Sequence, residues 1–308
     1  MTLPPSSLPQ LTLITVTYNA ASVLDDFWTS LEAQHGVDWS LVIVDNASVD
    51  GTLDKLATIE RDQRVTVIRC TENTGAAEGN NIGLRHALRN TQDHIVLCNN
   101  DILFGPDVLR DLARAKHALP LGALTPLMAF EEDRTAMWFE RGEITTRFGV
   151  RCLHVAAGNR PALPVYPTDY APTTFVLFDR AAIEAVGEID KGYFAYWEDA
   201  DYMWRLRRAG YGIWVDATTT IVHKVSQSSG GFGSIYSNRQ YHKNQLRFAR
   251  KHFGVGTVAL TAASSLVRIA VRALLRLDPP SMTKAKLQGM WDGASAPPLL
   301  PSSHVGRC

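Results

Sequence analysis

Three carboxylates crowd into four positions in YFAYWEDADYMWRLRRAGYG (residues 193–212): Glu198, Asp199 and Asp201, directly behind Tyr196 and Trp197. Like charges repel, so the clustering asks for a cause. A helix start supplies one, because acids favour a helix N-terminus and bases its later turns. Met203, Leu206 and Ala209 recur at helical spacing and Gly210 is a stop signal, which predicts a helix from about Asp199 to Ala209. The aromatics in front of it stay unexplained.

Other polar residues fall where chemistry is possible. In VLCNNDILFGPDVL an apolar run delivers Asn99, Asn100 and Asp101. A carboxylate at an open strand end is a normal way to hold Mg2+ or Mn2+, which keeps its other positions for water and phosphate; the competing reading is a turn. His223, in IVHKVSQSSGG, ends a later strand and could join that metal or a pyrophosphate, although a lone His is more often structural. IVDNASVDGT sets Asp45 and Asn46 at a strand end. An Asp there could accept from a pyrimidine N3–H, while Asp50 reads as a helix cap. NTGAAEGNNIGL brings Gly75, Gly79 and Gly83 together with Asn73, Asn80 and Asn81. Small residues let backbone N–H groups approach a ligand, and Gly83 reads as close helix packing.

These residues need a frame, and the chain supplies one. LTLITVTYN, WSLVIVDNAS, VTVIRC and HIVLCNND are apolar strands, with helix-spaced segments between them. Unbroken apolar strands alternating with helices predict an α/β fold, a mostly parallel central sheet with helices on both faces. Ligands bind beyond the carboxyl ends of such strands, where Asn19, Asp45, Asn46, Asn73 and Asp101 fall. After Pro120 the alternation weakens into irregular or antiparallel strands, and two terminal helices follow. Residues 1–10 read as a flexible leader, 254–277 as a basic amphipathic helix and 278–308 as a mobile Pro- and Ser-rich tail.

Bulk properties narrow the class. The 308 residues carry 31 basic and 31 acidic side chains, which gives no reason to expect a nucleic-acid partner. The four cysteines have no metal-site spacing, the first residues lack a secretory pattern, and no uninterrupted run approaches the ~20 apolar residues of a membrane span. The expectation is a reduced, cytoplasmic protein. Charge is nevertheless uneven: no Asp or Glu lies between Asp216 and Asp278, where Lys224, Arg239, Lys243, Arg247, Arg250, Lys251, Arg268, Arg272 and Arg276 all fall. Such a block seeks phosphate, of a ligand or of a membrane surface, and leaves two readings of residues 255–276: peripheral contact with the inner face of the cell membrane, or a packed helix with an exposed basic side.

Taken in order, TYN (17–19), VDNASVDGT (44–52), NTGAAEGNN (73–81), NND (99–101), VGEIDKGYFAYWEDADYMWRLRRAGY (186–211) and HKVSQSS (223–229) resemble the family 2 glycosyltransferases, inverting enzymes of the GT-A fold, in particular a rhamnosyltransferase-like bacterial branch. The resemblance spans residues 11–253 and implies a nucleotide-binding half (11–119) and an acceptor or catalytic half (120–253). It implies that Asp45 contacts the base, that Thr17, Tyr18, Asn19 and Asn73 line the nucleotide pocket with Gly75, Asn80 and Asn100, and that Asp101 is the metal carboxylate with His223 near the diphosphate. The family's DxD position reads Asn-Asn-Asp here, so one carboxylate is present.

Asp199 would then be the base that takes the acceptor hydroxyl's proton as that oxygen attacks the anomeric carbon. Glu198 and Asp201 would orient it or bind acceptor hydroxyls, and Trp197 would stack on a sugar. The resemblance implies dTDP-rhamnose or a UDP-hexose as donor, a saccharide or lipid-linked saccharide of the cell envelope as acceptor, and a divalent cation. Two other readings are weighed against it. A sugar-nucleotidyltransferase needs a Gly-rich, basic loop after the first strand, which TYNAAS lacks. A non-catalytic nucleotide-sugar-binding protein predicts loss of Asp199 or Asp101, and both are present.

Overall fold

The computed structural model describes residues 10–90, 94–155, 161–225 and 233–297. Strands β1 (Gln10–Thr17), β2 (Asp38–Asp45), β3 (Val65–Arg69) and β4 (His94–Cys98) lie parallel in the order β4-β1-β2-β3. Helices α1 (Leu24–Glu32), α2 (Thr52–Ile59) and α3 (Gly75–Asn90) connect them. The sheet continues through β5 (Ile102–Phe104), α4 (Val108–His117) and β6 (Gly122–Phe130). It runs across the expected 119/120 division: β11 (Phe175–Asp179) pairs antiparallel with both β4 and β6, and β12 (Gly212–His223) runs parallel to β6. Consecutive residues of β2, β6 and β11 are almost all buried, so both sheet faces are covered.

The irregular region resolves into β7 (Met137–Phe139), the β8 (Gly142–Thr145) and β9 (Arg151–His154) ribbon, and β10 (Val165–Pro167) on β12. Helix α5 (Arg180–Val186) leads to α6 (Glu198–Arg208), within a residue of the expected bounds, and Gly210 follows its end at φ +90°. Gly83 is where packing requires glycine, since a Cβ would collide with Ile14 of β1. The N-cap of α2 is Gly51 and not Asp50, which lies one residue before it and accepts from the N–H of Thr52.

The C-terminal part differs from expectation. In place of a mobile tail, residues 280–295 form helix α9 (Pro280–Ser295), which packs on α7 (Ile235–His252) and α8 (Val255–Leu274). Proline at its start is pre-set for a first turn. Gly289 and Gly293, one turn apart, sit against the Arg239 and Lys243 carbonyls with no room for a Cβ. Residues 298–308 and the leader before Gln10 lie outside the described residues.

The basic block is largely spent inside the protein. Lys251 meets Asp190 and Asp201, Arg247 donates to Gly192 O, Arg239 pairs with Asp292, and Arg250 donates to Gly293, Ala294 and Ala296 carbonyls. On α8, Arg272 pairs with Asp278 and Arg268 donates to Ser265. The buried stripe of α8 is Thr261, Ser265 and Ile269, and helical spacing puts both arginines beside it. The opposite face carries Leu260, Val267, Val271 and Leu274, all exposed. The helix is therefore amphipathic in the reverse sense, apolar outside. It is also long and apolar enough to cross a membrane (mean hydropathy 1.4), which the run-based reading missed because two arginines interrupt it.

Candidate active site

The strand ends converge as the α/β pattern requires. Asn46 N–H donates to Thr17 O, joining the ends of β1 and β2. Asn19, at φ 51°, accepts at its Oδ1 from Val49 N–H, and its own N–H donates to Ser48 Oγ. Asp45 is 1% exposed and accepts from Ser48 N–H (3.2 Å) and Ser48 O–H (2.6 Å). A carboxylate has about four lone-pair sites, so contact with a base is left two of them. Thr17 Oγ1 is buried without a partner, Tyr18 is exposed, and Asn100 donates to Val16 O.

The start of α3 closes this side. Asn73 Oδ1 accepts from Gly75 N–H, and Asn46 donates to Gly75 O. Gly75 has φ +82°, and a Cβ there would strike Phe194, whose carbonyl accepts from Ala76 N–H. Phe194 belongs to the segment that leads into Asp199, so the nucleotide-side loop and the acid cluster are physically joined. Asn80 is buried, and its amide donates back to Ala76 O inside α3.

Asp101 and His223 meet across the β5–β12 pair, 3.4 Å between Oδ1 and Nε2. Asp101 Oδ1 and His223 Nδ1 are buried and lack hydrogen-bond partners. One hard carboxylate oxygen and one imidazole fit Mg2+ or Mn2+ completed by phosphate and water. Among the described residues no third His, Cys, Asp or Glu joins them.

The three carboxylates of α6 have three different environments. Asp199 accepts the Tyr170 O–H at Oδ2 and the Ala200 N–H at Oδ1 (2.7 Å). Burial raises its pKa above the usual carboxylate range, and the Tyr170 and Ala200 donors oppose that shift. Glu198 is buried with Oε2 unpartnered, and burial, then the neighbouring Asp199 charge, pushes it up to about 8. Of the pair, Glu198 is the one driven toward keeping a proton, while the donors to Asp199 favour its charged form. Asp201 is a correction. It has no exposed surface and is caged by Arg205 (2.9 Å), Lys251 (2.8 Å) and His252 (2.7 Å), which hold it well below the usual range despite burial, so it binds no acceptor.

Trp197 is corrected too. At φ 74° and 3% exposed, its ring lies against Tyr241 and Phe248 of α7 and offers no face for a sugar. The aromatics before the acids explain themselves as the turn that seats α6: Asn244 donates to the Ala195 and Tyr196 carbonyls and holds the two left-handed residues in place. Sequence reasoning missed a wall of rings opposite: His223 meets Trp138 (4.4 Å between centroids), Trp138 meets His154 (4.7 Å), and His154 stacks on Tyr170 (6.1 Å). Trp138, His154 and Tyr170 sit in the irregular segments, where no periodicity marked them.

Comparison with known proteins now has a site to attach to. The profile of Glycosyl transferase family 2 matches residues 12–186, more than half of the chain, and the chain belongs to that family. An N-acetylglucosaminyl-diphospho-decaprenol L-rhamnosyltransferase of Mycobacterium tuberculosis is 25% identical over 276 residues, covering 79% of this chain and 85% of the relative. A dTDP-rhamnosyl transferase, RfbF, of Shigella flexneri is 26% identical, covering 70% and 69%. A galactofuranosyl glycosyltransferase of Leishmania donovani is 26% identical over 65% of this chain, and the chain spans 54% of its length. Among solved structures, a mannosyltransferase of Pyrobaculum calidifontis in complex with GDP-Man and Mn2+ superposes with a TM-score of 0.60 at 17% identity, covering 94% of this chain and 88% of that one. GalNAc-T7 with UDP, GalNAc and Mn2+ gives 0.64 at 14% identity, covering 92% of this chain and 54% of that one. Both have the GT-A architecture, and the fold is shared.

Proposed function

We propose that this protein is an inverting glycosyltransferase that moves a sugar from a dTDP- or UDP-linked donor to a saccharide or lipid-linked saccharide in cell-envelope polysaccharide synthesis. The observation that carries the reading is the buried Asp199 carboxylate at the N-terminus of α6, held by the Tyr170 O–H and the Ala200 N–H. Asp199 accepts the acceptor hydroxyl's proton as that oxygen bonds to the anomeric carbon and the nucleoside diphosphate departs from the opposite face. Thr17, Tyr18, Asn19, Asp45, Asn73, Gly75 and Asn100 surround the nucleotide. Asp101 and His223 would hold a divalent cation, Mg2+ or Mn2+, that neutralises charge on the departing diphosphate. Glu198, uncharged, faces the acceptor side.

The same reading has the outer face of α8 rest on the cytoplasmic leaflet of the cell membrane. Val267 is 62% exposed, Leu274 83% and Trp291 of α9 75%, and acids are missing from the sequence between Asp216 and Asp278. The mycobacterial relative is named for a decaprenol-linked sugar, and a lipid-linked acceptor would draw this enzyme to the same surface.

Calorimetry with UDP and dTDP, each with and without Mn2+, tests the core of the reading. The expected result is micromolar binding strengthened by Mn2+, with the metal effect lost in Asp101→Ala. Binding that ignores both Mn2+ and Asp101 would remove the metal assignment, and no binding of either nucleotide would remove the donor assignment.

A further inference from the structure

Tyr170 lies between β10 and β11 in a stretch whose sequence carries no catalytic signature, yet its placement is tightly determined. Its backbone bridges to Gly142, Thr168 Oγ1 donates to its carbonyl at 3.0 Å, and its ring stacks on His154 and meets Phe139 edge-on. Gly142 has no Cβ because one would strike the Tyr170 ring and carbonyl. Bridge, stack and bare glycine leave the ring one position, and from it the hydroxyl reaches Asp199 Oδ2.

The titratable groups that face Asp199 are Glu198 on its own helix, Cys152 on β9, Tyr170, and Tyr241 on α7. Among the described residues none of these groups is a cation, and Asp199 takes its hydrogen bonds from Tyr170 and Ala200. Glu198 has no comparable donor, and its Oε2 is unpartnered.

We propose that Tyr170 is the positioning residue of the base: its O–H, donated to Asp199 Oδ2, fixes the carboxylate plane and makes Asp199, and not Glu198, the anion that meets the acceptor hydroxyl. The proton of Tyr170 does not transfer. The acceptor's proton goes to a remaining lone pair of Asp199, and the phenol hydrogen bond stays in place through the reaction. Cys152 and Tyr241 complete a protein-lined back wall, and the ring series from Tyr170 through His154 and Trp138 to His223 ties the base to the diphosphate end.

This inference rests on Asp199 being the base, and its test is arranged so that the two can fail separately. The full-length protein, Tyr170→Phe, Asp199→Asn and the double variant are melted between pH 4 and 9, with no substrate present. Phe removes a donor to a charged acceptor, so Asp199 holds its proton to higher pH by about one to two units. A carboxyl whose folded pKa is raised further above its unfolded value loses stability as pH rises. Tyr170→Phe therefore falls further below wild type as pH climbs, and that slope disappears in the Asp199→Asn background. A pH-independent difference, or one that persists without Asp199, overturns the assignment. In a transfer assay the acid limb of kcat moves to higher pH by the same one to two units, with donor KM unchanged. Replacing Tyr170 with 3-fluorotyrosine, a stronger donor of nearly the same size, moves the limb the other way, which keeps the test decisive if the Phe variant folds poorly. Loss of transfer in Asp199→Asn with an unmoved limb in both Tyr170 variants sinks only the Tyr170 role.

Discussion

Asp201→Ala separates a structural acid from the proposed base two residues away. Asp201 is unexposed and neutralises Arg205, Lys251 and His252, so removing it strands buried positive charge, which typically costs about 3–5 kcal/mol. Two of the three cations keep other partners: Lys251 retains Asp190 at 2.6 Å, and Arg205 retains the Val186 and Glu188 carbonyls. Arg205 and His252 both lose their carboxylate partner, but Arg205 keeps those two carbonyls. The expected loss is therefore at the low end, about 3 kcal/mol, or roughly 6 °C in melting temperature for a chain of this length. Asp201 is held well below the ordinary carboxylate range, so its stabilisation is present above about pH 4 and is lost as pH falls through the folded value. Thermal melts from pH 3 to 8 should show the wild-type advantage steady above pH 5 and shrinking in acid. Melting within 1 °C of wild type, with a selective rise in acceptor KM, would refute the cage and return Asp201 to the acceptor site.

Three further outcomes are expected. Asp199→Asn should lower transfer about 100- to 10,000-fold while nucleotide binding by calorimetry stays near wild type; equal loss of both would remove Asp199 from the base role. Glu198→Gln should be active near neutrality, because Gln resembles the protonated acid already there, and it should melt increasingly above wild type between pH 5 and 8, where the wild-type carboxyl with its pKa near 8 progressively loses the stability it has in acid. Inactivity with unchanged melting would show that Glu198 works as an anion. Val267→Asp and Leu274→Asp, at exposed positions that should leave folding intact, are expected to release the protein from sedimenting anionic phospholipid vesicles; retention of both variants on the vesicles would exclude the outer face of α8 as the contact.

What could be read in advance was what repeats or ends a strand. The alternation up to β4, the polar residues at the strand ends, the start of α6 and the packing role of Gly83 all follow from local pattern, and the structure has each. Long-range placement could not be read. Tyr170 meets Asp199 only because β11 runs antiparallel between β4 and β6 and brings the 168–172 segment over α6, and no spacing in YPTDYAPTT announces that. Trp197 looked like a sugar platform because aromatics beside acids commonly are, but α7 covers it. The basic block suggested phosphate because sequence does not show that carbonyls at the C-terminal end of α9 absorb Arg250. Helix α9 was hidden by its composition, in which Pro280, Gly289 and Gly293 look like breakers. The proline opens the helix, and the glycines let two backbones touch.

The crowding of Glu198, Asp199 and Asp201 is resolved by giving each acid a different charge balance. A helix N-terminus favours negative charge, but its effect is worth only about 0.3–2 kcal/mol and falls off within a turn, too little to keep three buried carboxylates ionised side by side. Asp201 points into the protein and is balanced by cations from α6 and α7. Glu198 gives up its charge by staying protonated. That leaves Asp199, whose partners among the described residues are neutral donors and not a counter-ion. The distinction matters for catalysis. A salt-bridged carboxylate such as Asp201 is too weak a base to take a proton from a hydroxyl. One raised by burial and opposed only by hydrogen bonds is the more basic of the two, as deprotonation of an attacking hydroxyl requires. On the proposed reading, the cation cage and the protonated neighbour are what leave the third acid, in the same turn of helix, free to serve as the base.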